Sequence, residues 1–173
     1  MNQHIYTDGV TRGCGLQFLR PVQPVSNRLH FVPYEDTPDI RFFGDFSNLK
    51  CHSRGPVQGG RANLYEYMFI RTSCDEELMQ TFPSSELFFS AEAFSRVVVP
   101  QLYTQGTGQL LRWGRASLFY ALGDTGEQCC VSVTCDWEGK KTVRLWPCTS
   151  YPWNAGHHLF SPSPLCLHWY KKR

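Results

Sequence analysis

An all-β fold, mainly antiparallel, is what this sequence predicts, and three features predict it. Four extended segments rich in β-branched and aromatic residues follow one another at 94–104, 115–122, 127–137 and 142–146. Short connections carrying glycine separate them: Gly106 and Gly108, then 123–126, then Gly139. Within the third segment the pattern has period two. Cys129, Val131, Val133, Cys135 and Trp137 fall on one apolar face, and Cys130, Ser132, Thr134 and Asp136 on a mostly polar one. That is the signature of a half-buried strand, one side to a core and one to water or a partner. The architecture expected is a single β-sandwich domain over residues 1–173, jelly-roll-like, with one or two short helices.

Taken from the start, the chain offers possible strands at 4–7 and 16–19 around Asp8-Gly9 and Gly13-Cys14-Gly15. Pro21, Pro24, Pro33 and Pro38 then mark edge or loop, with a short strand at 29–32, because proline lacks the donor that a central strand needs. A strand at 40–43 ends at Gly44-Asp45, and Gly55-Pro56 with Gly59-Gly60 marks a loop. Residues 63–71 alternate, with Tyr65, Tyr67 and Phe69 on one face and Leu64 out of step. Ser73 three residues before Glu76 reads as a capping box opening a helix that Pro83 stops, and 85–93 reads as a second helical piece. Val97, Val98 and Val99 read as a strand covered on both sides.

The chain has 173 residues, enough for one domain with a core of its own. Apolar residues make up 42 % and aromatic ones 14 %, whereas charged residues reach only 18 %. A net charge of +2 without a clustered basic face, the terminal Lys171-Lys172-Arg173 aside, argues against direct nucleic-acid binding. No apolar run is long enough to cross a membrane. Residues 1–20 lack the apolar stretch of a secretory signal, so the eight cysteines are expected as reduced thiols and the location as cytoplasm. Cys129 and Cys135 fit the strand as small buried hydrophobes.

The run Val97-Val98-Val99-Pro100-Gln101-Leu102-Tyr103, then 115–121, the strand 131–134 leading into 142–146, and the exit bearing Pro147, Pro152, Pro162 and Pro164 resembles the last third of a picorna-like virus capsid jelly roll, over about residues 94–153. The resemblance implies a virus capsid subunit or capsid-derived domain, with protein subunits as partners. The chain is short for such a subunit and lacks a basic arm for packaging RNA. No functional residue is carried over from it.

Motifs for chemistry are sparse, and no enzyme, cofactor or metal is expected. Asp124-Thr125-Gly126 matches the aspartic-protease string, but Gly123 precedes it and Glu127 follows, and one copy cannot form the shared-proton pair without a dimer. A hairpin turn accounts for the same residues. Cys51-His52, Cys129-Cys130 and His157-His158 are adjacent in sequence, poor spacing for one zinc, although Cys130, Cys148, His157 and His158 are a conceivable spatial set. A Cys130–Cys148 disulfide on neighbouring strands is equally conceivable. Aromatics crowd the segment 147–173 and its entrance: Trp146, Tyr151, Trp153, Phe160, Trp169 and Tyr170. Either this tail packs on the sheet and buries them, or they form a binding surface. The functions expected are assembly into a shell or, alternatively, a non-enzymatic recognition module taking a protein, host receptor or glycan through loops and these aromatics.

Overall fold

The computed structural model describes residues 15–23, 34–49, 64–103, 110, 114–149 and 151–165. The strands expected at 4–7 and 29–32, the loop at 55–60, Cys14, Cys51, His52, Trp169, Tyr170 and the terminal basic triplet lie outside them. Strands dominate the described residues: β1 (Leu16–Val22), β2 (Ile40–Phe43), β3 (Leu64–Phe69), β4 (Ser73–Cys74), β5 (Phe88–Ser90), β6 (Ser117–Leu122), β7 (Gln128–Cys135), β8 (Lys141–Pro147), β9 (Pro152–Trp153) and β10 (His158–Ser161). Eight of them form one sheet in the order β1-β3-β10-β6-β7-β8-β2, with β5 also on β6, and β4 and β9 make a small ribbon.

The β class therefore holds, while the arrangement is mixed. β10 and β5 both run parallel to β6, and β2 runs parallel to β8. The two facing sheets of a jelly-roll-like sandwich do not emerge from these ladders. Instead, each face of the one sheet carries its own core. Phe119 and Ala121 of β6 join Val131 and Val133 of β7, Val143 of β8 and Phe160 of β10 on one side. Leu118, Tyr120, Tyr67, Phe69 and Leu159 lie on the other. Leu64 is out of step in the sequence because it serves the first core, while Tyr65, Tyr67 and Phe69 serve the second.

The first core is roofed by a helical segment where the sequence predicts a strand. Residues 94–102 are helical: α3 (Ala91–Ala93) leads into a π turn (Phe94–Val98) and then α4 (Val99–Leu102). Ser90 caps the start by accepting from the Ala93 amide at 3.1 Å, and Glu92 pairs with Arg96 one turn on at 3.0 Å. Phe94, Val97, Val98 and Leu102 recur at helical spacing and are all buried against the sheet. The valine triplet favours a strand only by local propensity, and packing of this stripe overrides it. Pro100 has no amide hydrogen and its ring would crowd the carbonyl four residues back, so the wide turn before it fits the same residues into a helix. Lys141, buried on β8, donates from Nζ to the Leu102 carbonyl at 2.9 Å and closes the helix end, its ammonium facing the negative end of the dipole.

The second core lies under α1 (Asp75–Thr81) and α2 (Ser84–Leu87), with Leu78, Phe82 and Leu87 facing the sheet. The helix before Pro83 is as expected, but its capping box is not. Cys74 stands at the cap without a side-chain bond, and Ser73 Oγ instead donates to Glu77 at 2.6 Å. The C-terminal segment supplies β9 and β10, the latter inside the sheet between β3 and β6. Trp137, expected on the buried face of its strand, stands in the β7–β8 turn at 77 % exposure. The Asp136 carboxylate accepts from the Glu138 and Lys140 amides there, so the strand ends at Cys135.

At the end of β2, Gly44 has φ +118, and a Cβ built there would sit 2.9 Å from Leu145 Cβ on β8. Gly139, also left-handed at φ +83, faces open space. Gly44→Ala is expected to cost about 1–3 kcal/mol in urea unfolding, and Gly139→Ala less. Equal losses would show that backbone conformation alone, and not the close approach of β8, demands glycine at 44.

Candidate functional site

The alternation of β8 decides what its outer face presents. Lys141, Val143 and Leu145 turn to the first core, so Thr142, Arg144 and Trp146 turn the other way. The ladders then line up neighbours on that face. Arg41 of β2 pairs with Thr142, which pairs with Thr134 of β7, and Phe43 pairs with Arg144, which pairs with Ser132. Over β1, β3, β10 and β6 this side is packed in the second core, whereas Arg41, Phe43, Thr134 and Arg144 remain exposed. The Arg144 guanidinium stands 4.8 Å from the centre of the Phe43 ring.

Trp146 forms the inner end of this strip. Its Nε1–H donates to Ser132 Oγ at 2.8 Å, and its ring stacks on Tyr151 with centroids 5.3 Å apart. Tyr151 in turn lies 4.8 Å from Trp153. Tyr151 is 43 % exposed, Trp146 partly buried and Trp153 buried, so the three make a graded ledge from surface to core.

Asp75 is the strut beneath this ledge. Its buried carboxylate accepts from the Trp153 Nε1–H at 2.6 Å, from the Thr149 amide at 3.2 Å and from the Tyr120 hydroxyl. Burial holds its pKa above the ordinary carboxylate range, against the lowering effect of the three donors. Burial also pushes the Cys130 thiol far up and that of Cys148 up to about 12, with the Asp75 charge acting in the same direction. Cys129 is pushed up to about 11 by burial. These sulfurs are therefore protonated, poor nucleophiles and poor metal ligands.

Of the aromatic residues expected at a binding surface, the structure brings Trp146, Tyr151 and Trp153 together, with Trp153 itself buried in the second core and only Tyr151 and part of Trp146 at the surface. Phe160 is a correction. It is fully buried in the first core and stacks on Phe119 at 5.2 Å and 14°, because β10 is a central strand covered on both faces. Trp169 and Tyr170 lie outside the described residues. Asp124 sits at the tip of the β6–β7 turn, where Gly126 N–H bonds the Gly123 carbonyl at 2.9 Å, the hairpin arrangement weighed against the protease string.

The Cys/His set does not converge. Cys130 belongs to the second core, whereas His158 shares the other face with Glu66, its Nδ1 2.9 Å from Oε1. His157 accepts the Ala116 amide hydrogen at Nδ1, 3.0 Å away, and burial with the Arg115 charge lowers its pKa. Among the described residues no group of three or more His, Cys, Asp or Glu side chains is placed to hold a metal ion. Glu66 also pairs with Arg20 at 2.8 Å. Ser117, across the ladder from His158, gives its hydroxyl hydrogen to the Leu110 carbonyl at 2.6 Å and not to the imidazole.

Comparisons with family models, curated proteins and solved structures find no match to this chain. The site stands on its geometry.

Arg41, Phe43 and Arg144 are functional candidates that reading by composition misses. Their signal is the strict alternation Thr142, Arg144, Trp146 in the sequence, which already places the arginine beside the tryptophan on one face. No comparable signal marks Asp75, whose partners lie 45, 74 and 78 residues away.

Asp75→Ala is expected to destabilise the fold by about 3 kcal/mol or more, because it strips acceptors from two buried side-chain donors and a main-chain amide. The raised pKa means that the folded state binds this proton more tightly than the unfolded state. The contribution of Asp75 to stability is thus largest below the ordinary carboxylate range and shrinks as pH rises through the folded pKa. Urea melts at several pH values check this: the stability difference between wild type and Asp75→Ala should fall with rising pH, and a difference that grows would refute it.

Proposed function

We propose that this chain is a non-enzymatic recognition module that takes a protein or glycan partner on the open face of its sheet. The observation that carries the reading is the Tyr151 ring, exposed on one side and stacked on Trp146 on the other, on a sheet face lined by exposed Arg and Thr side chains. A rigid aromatic ledge offers contact area at low entropic cost, since the rings are already held when the partner arrives. The buried Asp75 contact to Trp153 supports that rigidity.

The assembly reading draws on the same part of the molecule. Trp137, Phe43 and Tyr151 are among the large apolar side chains left exposed, and contact between copies in a shell would cover such residues. In that case the occupant of the face is a second subunit. The virion location implied by the capsid resemblance belongs to this reading.

Light scattering over a range of protein concentrations, combined with arrays of oligosaccharides and peptides, tests both. The module reading expects a small, concentration-independent species that binds array members, with binding reduced about tenfold in Tyr151→Ala, the loss of one well-packed aromatic contact. Stability of that variant should change by no more than about 1.5 kcal/mol. Large particles that Tyr151→Ala and Trp137→Ala disperse would shift the conclusion to assembly. Binding untouched by Tyr151→Ala and Trp146→Ala would overturn the placement of the site.

A further inference from the structure

We infer that the partner of this face is an anionic oligosaccharide, its acidic group held by Arg41 and Arg144 and a sugar ring laid on Tyr151 and Trp146. The inference rests on the module reading above and deepens it. Three observations carry it.

The first is uncompensated charge. Arg41 and Arg144 are both exposed on this face, and neither has a carboxylate partner among the described residues. They occupy neighbouring ladder rungs, Arg41 opposite Thr142 and Arg144 opposite Phe43, so the two guanidinium groups spring from diagonal positions on adjacent strands. Phe43 lies against the Arg144 guanidinium and favours it as a cation without neutralising it. The lysine in the adjacent turn, Lys140, is by contrast paired with Glu138 at 2.5 Å. Two planar donors with no acceptor of their own suit a carboxylate or sulfate, which accepts two hydrogen bonds from each.

The second is the hydroxyl row. Thr134 and Thr142 face one another across the β7–β8 ladder, and neither hydroxyl has a hydrogen-bond partner among the described residues. These hydroxyls share Arg41's rung, Arg144 follows on the next and the aromatic ledge beyond it, a sequence that matches the alternating polar edges and apolar faces of a sugar chain. From Thr142 to Trp146 along β8 is about 13 Å, room for two to three sugar rings.

The third observation argues against a peptide. An extended peptide binds a sheet most simply by adding a strand to its edge. β2 ends the described sheet on this side, and its outward amides are already taken: Ile40 N–H donates to the Thr37 carbonyl at 3.2 Å and Phe42 N–H to Asp36 Oδ1 at 2.8 Å. Main-chain recognition is closed there, and side-chain recognition on the face is open.

The test is calorimetric titration of the full chain with a sulfated hexasaccharide, a uronate hexasaccharide, a neutral hexasaccharide, a polyglutamate peptide and oligo-dT of matched charge. Wild type should bind at least one acidic hexasaccharide, and binding should weaken as salt rises. Arg41→Gln and Arg144→Gln should each weaken it about tenfold, the loss of a charge-assisted hydrogen bond. Thermal unfolding of Arg41→Gln should match wild type, since Arg41 has no ion-pair partner among the described residues, and Arg144→Gln should melt only slightly earlier through loss of the Phe43 ring contact. The sulfated and uronate arms tell which acid is held. Neutral sugar bound as tightly, with the arginine variants unaffected but Tyr151→Ala impaired, would overturn the anion inference and leave the module reading standing. Polyglutamate or oligo-dT bound as tightly as any sugar would overturn the glycan assignment. No sugar, peptide or nucleic acid bound at all would overturn the oligosaccharide inference and leave the module reading only its protein partner.

Discussion

The whole sheet depends on β10 being threaded between β3 and β6. This strand belongs to the last described stretch of the chain, yet it is central, antiparallel to β3 through His158–Met68 and parallel to β6 through His158–Ser117. Without it the ladders fall into two parts, β1 with β3 and β6 with β7, β8 and β2, each with an open edge. Its side chains serve both cores: Leu159 packs with Tyr67 on one face, and Phe160 stacks on Phe119 on the other. His158 Nδ1 also meets the buried Glu66 carboxylate, which Arg20 reaches as well. Contacts this far apart in sequence carry a large loop-closure cost before they return any burial. Native pairing of the sheet therefore has to wait for the C-terminal segment, which makes this a slow topology by contact order.

The same connection determines where the ledge stands. Between β8 and β10, Thr149 and Trp153 are both held on the second face by Asp75. Asp75 belongs to the first turn of α1, where a carboxylate is favoured by the helix dipole, and α1 is fixed on the sheet by Leu78 and Phe82. Tyr151 is thus carried between two anchored residues and set against Trp146. Tyr151 is thereby preorganised, and the buried carboxylate that does this needs no catalytic role to explain its perturbed pKa.

What the sequence makes legible is governed by local alternation. The strand at 40–43, the shared face of Tyr65, Tyr67 and Phe69, and the buried row Cys129, Val131, Val133 and Cys135 all follow from period two within one segment. Residues 94–102 mislead because β-branching and helical spacing point to different structures there, and long-range packing of Phe94, Val97, Val98 and Leu102 chooses the helix. Phe160 misleads for a related reason. Prolines on both sides of it argue for a surface tail, but they stop short of the four residues of β10. Trp137 continues the alternation on paper, and only the Asp136 turn ends it. Parallel pairing is the least legible feature, since nothing within β5, β6 or β10 announces which strand each will meet.

The way the molecule treats its surfaces bears on what that face is for. At the β2 edge, where unpaired main chain would invite another strand, the segment 34–39 folds back and satisfies the outward amides with Thr37 and Asp36. On the adjoining face Phe43 and Tyr151 stay exposed, and Arg41 and Arg144 have no carboxylate partner among the described residues. Satisfying the amides of this edge closes, on the β2 side of the sheet, the non-specific route to association through backbone hydrogen bonds that any sequence can supply. What remains available is a pattern of side chains, cationic and hydroxylic at one end and aromatic at the other. Recognition through such a pattern is selective because each group left unmatched by a wrong partner costs desolvation without return.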